Sequence, residues 1–365
     1  MCRSPLLPLL ARDLGASPAL VGFIVGASTL TGVVVKLPAG ALSDALGRRR
    51  LLLGASVVFA LLPFGYFGAA TLAALVVLRF AHGTATAVFG PVASAAISDL
   101  APADRRGVWL GIYSTLQGAG QSIGPLLVGY LLATGGYRSA FAISGLLGLC
   151  ALGLVAGWPP DRSPHAVDAL WPRVRQGVRE VAADARILTI SLAQAGQFLL
   201  NGALGGFLPL HAKEVVGLGT PEIGALVALQ TVVTLSMRPL FGALSDRFGR
   251  RRLIAGGLSV CGLAVWGVAQ AGGLVALALA IAAYGAGLAV TTSATSAYVT
   301  DLSKRSRYGA AHGIFGTIYD IGDAAGPSAA GLLVAALGYR GMFEGLAVAA
   351  IVIAASFAWG SRRWD

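Results

Sequence analysis

Long apolar runs separated by short charged connections dominate the chain. Eleven runs are long enough to cross a bilayer, because a transmembrane helix needs about 20 apolar residues. The runs are continuous rather than alternating, which predicts membrane-spanning helices and excludes a barrel of alternating strands. The predicted spans cover residues 19–42, 51–70, 73–98, 107–134, 139–158, 187–212, 221–244, 253–272, 273–300, 309–336 and 340–360.

Charged residues are rare for a chain of this length. Of 365 residues, 56% are hydrophobic and 12% are charged, whereas soluble domains carry about 25% charge. This composition excludes a soluble globular protein, and it excludes a disordered chain, which needs low hydrophobicity. Cys2, Cys150 and Cys261 are too far apart to suggest a metal site or a disulfide framework. We therefore expect neither a metal nor a cofactor.

The 27 lysines and arginines are divided unevenly between the two sets of connections. One set carries 19 of them, the other carries 5, and three lie inside spans. Because cations are retained on the cytoplasmic side, the first set and the C-terminus are predicted to be cytoplasmic. The net charge of +11 then reflects topology. We expect a multi-pass monomer of the inner or plasma membrane, with lipid rather than nucleic acid around it.

The two halves of the chain repeat each other with an offset of 202 residues. Between segments 40–51 and 242–253, ten of 12 positions are identical. Both copies place their arginine triplets on the same side, so the repeat is parallel, which is one of the recurring transporter designs. The predicted organisation is an N-terminal half over 1–158 and a C-terminal half over 187–365. Between them, 159–186 is predicted to form an amphipathic linker on the cytoplasmic surface.

These motifs resemble those of the major facilitator superfamily, and the resemblance covers nearly all of the chain. The duplicated Gly-x-Leu-x-Asp-x-x-Gly-Arg-Arg-Arg segment is similar to that family's loop motif between its second and third helices. Arg79, His82 and Gly83 resemble its fourth-helix motif, with histidine in place of glutamine. Segment 111–129 resembles the fifth-helix motif of its drug–proton antiporter branch, with Val128 replacing one glycine. The resemblance implies an all-helical fold of two six-helix halves.

The resemblance implies two sets of residues with conformational roles. A charge cluster that latches the cytoplasmic gate would contain Gly40, Asp44, Gly47, Arg48, Arg49 and Asp99, with Gly242, Asp246, Gly249, Arg250 and Asp301 in the second half. The alternative is that these loops only set the topology. Close helix approach and bending would depend on Gly120, Gly124, Pro125, Gly322, Gly326 and Pro327. The alternative for this second set is packing alone.

Ionisable residues inside the spans are the candidates for proton and substrate chemistry, since they are costly in lipid. Asp320 and Asp323 lie 11 and 14 residues into their span, roughly 17–21 Å deep at 1.5 Å per residue, and share one helix face. The further cavity candidates are Arg79, His82, Gln117, Gln121, Gln197, Asn201 and Tyr319. Each could instead serve helix packing. Lys36 and Arg238 align with each other near the cytoplasmic ends of their spans, where they snorkel or take part in gating or substrate binding.

The first half lacks the body of one helix. Residues 4–11 align with the end of the helix that begins the second half, but almost nothing precedes them. We therefore expect about eleven transmembrane helices, with the first one reduced to a short remnant. A misassigned start is the expected cause, and a genuine eleven-helix protein is the alternative.

The leading functional hypothesis is a secondary transporter that exports small organic molecules by proton-coupled drug or metabolite antiport. A proton-coupled or facilitative importer of a sugar or other metabolite stays open, as does an inactive or receptor-like relative. An enzyme is not expected, because the chain has no HExxH motif and no Ser/His or Cys/His constellation at plausible depth. The missing phosphate-binding loop argues against ATP-driven pumping.

Substituting Asp44→Asn tests the predicted latch. Asparagine removes the charge that would pair with arginine while keeping the size of the side chain. We expect normal membrane insertion with reduced transport, measured as expression and as substrate flux in vesicles. Unchanged transport at normal expression would contradict the latch and favour loops that only set topology.

Overall fold

The computed structural model describes residues 4–102, 105–158, 184–303 and 308–364, apart from the side chains at 37–38, 40–42, 44–45, 243, 246, 308–311 and 363. The described residues form helices and short connections. The helices are α1 (Leu6–Asp13), α2 (Pro18–Leu46), α3 (Arg48–Gly65), α4 (Leu72–Leu100), α5 (Arg106–Ala156), α6 (Ala185–Glu214), α7 (Thr220–Phe248), α8 (Arg250–Gln270), α9 (Leu274–Leu302) and α10 (Tyr308–Gly360), with 3-10 turns at Tyr66–Gly68 and Ser361–Arg363.

The structure agrees with the predicted number of membrane crossings. Nine helices of the described chain are long and apolar enough to span a bilayer. Two of them, α5 and α10, have 51 and 53 residues, about 77–80 Å of helix against a hydrocarbon core of about 30 Å. Each is broken by non-helical backbone, at Gly136 and at Gly338. These two helices therefore cross twice each, which gives eleven crossings in the part of the chain that is described.

The backbone conformation repeats along with the sequence. Among the residues that the structure describes, six glycines have positive φ angles, and they form three pairs separated by 202 residues: Gly15 with Gly217, Gly47 with Gly249, and Gly136 with Gly338. Glycine reaches this left-handed region without the steric cost that a Cβ imposes. Equivalent turns in the two halves thus begin at equivalent residues.

The two halves meet along α2 with α10 and along α5 with α7. These contacts are backbone against backbone. A Cβ added at Gly22 would overlap the carbonyl group of Pro327, and one at Gly224 would overlap the carbonyl group of Pro125. Gly22 and Pro327 are the repeat counterparts of Gly224 and Pro125, so the same contact occurs twice. Small residues of this kind allow membrane helices to approach closely.

The buried core is shared by the halves at one end of the bundle only. The largest apolar cluster joins residues of both halves, including Leu7, Phe141, Leu208 and Phe343. Near the arginine triplets, by contrast, each half has its own cluster. We call the end with the triplets Arg48–Arg50 and Arg250–Arg252 the arginine-rich end, and the other the opposite end. The halves are therefore packed together at the opposite end and separate toward the arginine-rich end.

The linker predicted over 159–186 lies outside the described residues except for its last three positions. There, the Asp184 side chain accepts a hydrogen bond from the Arg186 backbone amide at 2.9 Å and caps α6.

Substituting Gly22→Ala tests the close contact between the halves. The added methyl group must push α2 away from α10, so we expect a loss of stability of about 1–3 kcal/mol, typical of overpacking. Thermal unfolding in detergent measures the effect. Gly54→Ala in α3 is the matched control, because a Cβ there meets nothing within 4 Å. Equal unfolding temperatures for the two variants would show that the contact is not tight.

Candidate functional site

A cavity of about 560 Å³ lies between the two halves, on the arginine-rich side of their close contacts. Six long helices contribute to its wall: α2, α4, α5, α6, α7 and α10. Its polar lining consists of Ser4, Ser28, Thr29, Lys36, Arg79, His82, Thr86, Gln121, Asn201, Gln230, Thr231, Asp320 and Asp323. Such a volume is in the range of small-molecule binding sites.

An ion pair crosses the cavity from one half to the other. Lys36 Nζ of α2 lies 2.8 Å from Asp320 Oδ2 of α10. The Lys36 side chain is 42% exposed and that of Asp320 is 20% exposed, so water screens the pair in part. The pair joins residues 284 positions apart in sequence. The Lys36–Asp320 ion pair therefore forms only when α2 and α10 lie close enough together at the depth of these two residues.

Asp323, one turn of α10 after Asp320, is the centre of a hydrogen-bond network. Its carboxylate accepts hydrogen bonds from Thr29 Oγ1 at 3.4 Å and from Asn201 Nδ2 at 3.2 Å. Gln230 Nε2 donates in turn to Asn201 Oδ1 at 3.1 Å. Asp323 is only 6% exposed. This network connects α2 of the first half to α6, α7 and α10 of the second.

Arg79 and His82 of α4 line the wall of the cavity that belongs to the N-terminal half. Arg79 is completely buried, and it donates to the carbonyl oxygens of Ile24 and Val25 at 3.3 and 3.2 Å and to Ser28 Oγ. These bonds hold α4 against α2 and offset part of the cost of burying the guanidinium. The His82 ring packs edge-on against Phe59 at 5.5 Å.

The contact between α2 and α10 changes character along its length. At Gly22 and Gly26 the two backbones touch. At Thr29 the link to Asp323 is a hydrogen bond between side chains, and at Lys36 a long side chain reaches Asp320. The helices thus diverge toward the arginine-rich end. Lys36 is the last cross-half contact in this series and sits where the two helices have separated.

The structure brings most of the predicted cavity residues together, but not all. Gln121 and Asn201 line the cavity with the two aspartates. Gln117 is exposed on α5 and is not part of the lining. Gln197 is buried between α6 and α9, where its amide donates to the Gly287 carbonyl at 3.3 Å. Tyr319 lies outside the lining and packs against Phe198 at 4.5 Å between ring centroids.

Sequence reasoning did not assign the partner of Asp320. The signal available was Lys36 itself, a cation within an apolar span. Thr29 and Ser28 were also missed, because a hydroxyl in a membrane helix can always bond to its own backbone.

At the arginine-rich end, the described ion pairs brace each half separately. Arg48 Nε lies 2.7 Å from Asp99 Oδ2, and Arg250 Nε lies 3.0 Å from Asp301 Oδ2. The first pair joins α3 to α4, and its repeat counterpart joins α8 to α9. Arg49 donates to the Ala156 carbonyl at 2.8 Å. Of the other predicted latch residues, Gly47, Gly242 and Gly249 are described, whereas Gly40, Asp44 and Asp246 lie outside the described positions.

The predicted bending residues mainly make close contacts. A Cβ on Gly322 or on Gly326 would meet the backbone of α6, and Pro125 and Pro327 contribute their carbonyls to the contacts between the halves. Gly124 is buried, whereas a Cβ on Gly120 would meet nothing within 4 Å. The non-helical backbone of α5 and α10 lies at Gly136 and Gly338, beyond these motifs.

Two crossed ion pairs join the halves at the opposite end. Arg12 Nε lies 2.8 Å from Glu214 Oε1, and Lys213 Nζ lies 3.3 Å from Asp13 Oδ1. In the alignment of the halves, Arg12 corresponds to Lys213 and Asp13 to Glu214. Each half therefore offers its cation to the carboxylate of the other.

Two equivalent tyrosines hold these carboxylates in place. The Tyr137 hydroxyl donates to Asp13 Oδ2 at 2.6 Å, and the Tyr339 hydroxyl donates to Glu214 Oε2 at 2.9 Å. Tyr137 and Tyr339 are repeat counterparts and belong to the same halves as the carboxylates they bind. Each carboxylate is thus held by a tyrosine of its own half while it pairs with a cation of the other half.

Metal ligation receives no support from the part of the chain that the structure describes, where no group of three or more His, Cys, Asp or Glu side chains could hold a metal ion.

The sequence matches the family model described as Major Facilitator Superfamily over residues 2–219 and 190–363. The chain belongs to the major facilitator superfamily. It is a multi-pass membrane transporter of small-molecule substrates. It is 24% identical over 355 residues to an uncharacterised MFS-type transporter of Methanocaldococcus jannaschii, which covers 96% of this chain and 91% of that protein.

Two further comparisons extend the family assignment. The multidrug resistance efflux pump PmrA of Streptococcus pneumoniae is 23% identical over 349 residues, covering 93% of this chain and 86% of that protein. Among solved structures, a bacterial homologue of the human lysosomal transporter Spinster, in an inward-facing and unoccupied conformation, superimposes with a TM-score of 0.82 at 19% identity. The match covers 98% of this chain and 92% of that one, which confirms the MFS fold.

Substituting Glu214→Gln tests the crossed ion pairs. The change removes one pair, and partly exposed pairs contribute about 0.2–1 kcal/mol each. We expect the population open at the opposite end to rise about 1.4- to fivefold. The measurement is labelling of Thr231→Cys, a cavity position, by an impermeant thiol reagent applied at the opposite end, in a protein whose native cysteines are serine.

The matched control is Glu344→Gln, which removes an ion pair with Arg340 at the same end but within α10. It should leave the labelling rate unchanged. Equal labelling of the parent and Glu214→Gln would show that the crossed pairs do not hold the two halves together.

Proposed function

We propose that this transporter exports small organic molecules in exchange for protons, with Asp320 as the proton-carrying group. The observation that carries the proposal is the ion pair between Asp320 and Lys36 in the cavity, 2.8 Å apart and contributed by opposite halves. Ionisable groups at such a depth are characteristic of proton pathways in transporters. An ion pair between the moving halves can link protonation to their separation.

The coupling follows from the charge of Asp320. An ionised Asp320 attracts Lys36 and favours the arrangement in which these two side chains meet. A protonated Asp320 loses that attraction, so Lys36 and α2 are released from α10. A ligand or proton shifts a conformational equilibrium only by its differential affinity for the two states. Asp320 provides such a difference because its partner lies on the other half.

Topology defines the side of the membrane to which the cavity opens. The arginine-rich end is cytoplasmic under the positive-inside rule, which also places the C-terminus in the cytoplasm. The cavity lies on that side of the close contacts, so this conformation receives substrate from the cytoplasm. The similarity to an efflux pump supports export. The cell membrane is the proposed location, with two halves over 1–158 and 187–365 joined by the 159–186 linker, and a monomer as the functional unit.

Asp323 has a different proposed role. Its bonds to Thr29 and Asn201 fix its carboxylate within a network of neutral donors. Together with Gln230, which donates to Asn201, it positions α6, α7 and α10 around the substrate. Gln121 and His82 face the same space from the N-terminal half and complete its polar wall.

Substituting Asp320→Asn tests the proton-coupling role. A ligand-stabilisation screen on purified protein first supplies a transported compound, which is then followed in proteoliposomes with and without a pH gradient. We expect the variant to bind the compound but to lose the acceleration by the gradient, because asparagine cannot exchange a proton. The double variant Lys36→Gln with Asp320→Asn should behave in the same way, since it removes both charges together.

Glu344→Gln is the matched control, as a carboxylate outside the cavity, and it should retain gradient-driven transport. Full gradient-driven transport by Asp320→Asn would overturn the coupling assignment. If the gradient moves the compound with the protons rather than against them, the importer hypothesis replaces export.

A further inference from the structure

Lys36 has a counterpart in the second half that lacks the same neutralising partner. Arg238 of α7 is 202 residues from Lys36 and occupies the equivalent position. The counterpart of Asp320 is Gly118, and the side chain of Leu235 packs against it. The ion pair on one side of the bundle is therefore replaced on the other side by a cation and an apolar contact.

Arg238 lies on the stripe of α7 that faces the cavity. Val227 and Thr231 of the same helix line the cavity. At 100° per residue, Val227, Thr231 and Arg238 fall within about 40° of one another around the helix. Arg238 thus continues the cavity-facing stripe two turns closer to the arginine-rich end.

The guanidinium of Arg238 is available to a ligand. Arg238 is exposed, and among the described residues its side chain makes no hydrogen bond; Ser293 donates to its backbone carbonyl at 3.3 Å. No carboxylate of the described chain pairs with its side chain. Because a cation within an apolar span is costly, it is expected to meet an anionic group.

Tyr319 precedes Asp320 on α10 and lies just outside the cavity lining. The ring is held by Phe198 and Phe315, with centroids at 4.5 and 5.4 Å. Lys36 lines the cavity, and Arg238 is its repeat counterpart on the stripe of α7 that carries Val227 and Thr231. This register directs both cations toward the arginine-rich mouth of the cavity.

The charges at this mouth do not cancel. Asp320 neutralises Lys36, which leaves Arg238 as one excess positive charge. A planar guanidinium can bind a carboxylate or phosphate through two parallel hydrogen bonds. Apolar side chains of Leu204, Leu208 and Val227 line the cavity beyond it and can cover a hydrocarbon body.

We propose that Arg238 binds an anionic group of the transported molecule, so that the substrates are small organic acids with a carboxylate or phosphate and an apolar body. This assignment rests on the proposed function, because it takes the cavity to be the substrate path. A lipid headgroup carries the same phosphate chemistry. The position of Arg238 on the cavity-facing stripe favours the substrate.

The test is equilibrium binding to the purified protein in phosphatidylcholine nanodiscs, without any gradient. The probes are 2-naphthoate and its neutral isostere 2-naphthamide, followed by tryptophan fluorescence. We expect the wild type to bind the naphthoate about five- to tenfold more tightly than the amide, as for a charge-assisted hydrogen bond. In Arg238→Gln the two probes should bind within twofold of each other, and Arg238→Lys should keep part of the preference.

The control variant is Arg247→Gln, which removes an exposed arginine from the same helix but on the face opposite Arg238, nine residues on. Its preference for naphthoate should equal that of the wild type. The proposal is overturned if the wild type binds both probes equally or if the preference survives Arg238→Gln. It is also overturned if replacing half of the lipid with phosphatidylglycerol abolishes the preference, because a headgroup then occupies Arg238.

Binding in the absence of a gradient separates this proposal from the proposed function. Loss of proton coupling in Asp320→Asn together with equal binding of the two probes would retain proton-coupled transport and reject the anion site. A clear anion preference together with unimpaired coupling in Asp320→Asn would retain the anion site and reject Asp320 as the proton-carrying group.

Discussion

The backbone contacts between α2 and α10, and between α5 and α7, determine where the two halves can meet. Gly22 and Gly224 have no side chain to hold the helices apart, and each lies against the carbonyl of a proline in the other half. Where these small residues end, the helices diverge and polar side chains take over the contact. The closed end, the cavity and its opening are therefore consequences of one duplicated packing motif.

Duplication gave the two halves the same backbone but not the same charges. The positive-φ glycines recur at a constant offset, and the crossed ion pairs at the opposite end are symmetric. Inside the cavity, equivalent positions of the two halves carry different residues. Asp320 and Asp323 have Gly118 and Gln121 as counterparts, so both carboxylates lie on α10. The symmetric parts hold the two halves together, whereas the proposed proton and anion chemistry falls on residues that the repeat does not share.

The fold could be read from the sequence much further than the site could. Apolar runs gave helix bounds close to those observed, because lipid requires each span to satisfy its own backbone. The repeat also indicated which turns match. The pairing of Lys36 with Asp320 was not predicted, since sequence gives the depth of a charge but not its neighbour on another helix. For the same reason Gln121, which lines the cavity, could not be told from Gln197, which is buried between α6 and α9.

The interactions that close the opposite end differ in strength. Each crossed ion pair at the opposite end is partly exposed, so each contributes little free energy. Closure of that end therefore depends mainly on the shared apolar core and the glycine contacts, and the ion pairs adjust the balance. A transporter needs this arrangement, because it must populate two states within a few kcal/mol of each other. A buried, unscreened set of pairs would hold one state too firmly for a single protonation, such as that proposed for Asp320, to shift the balance.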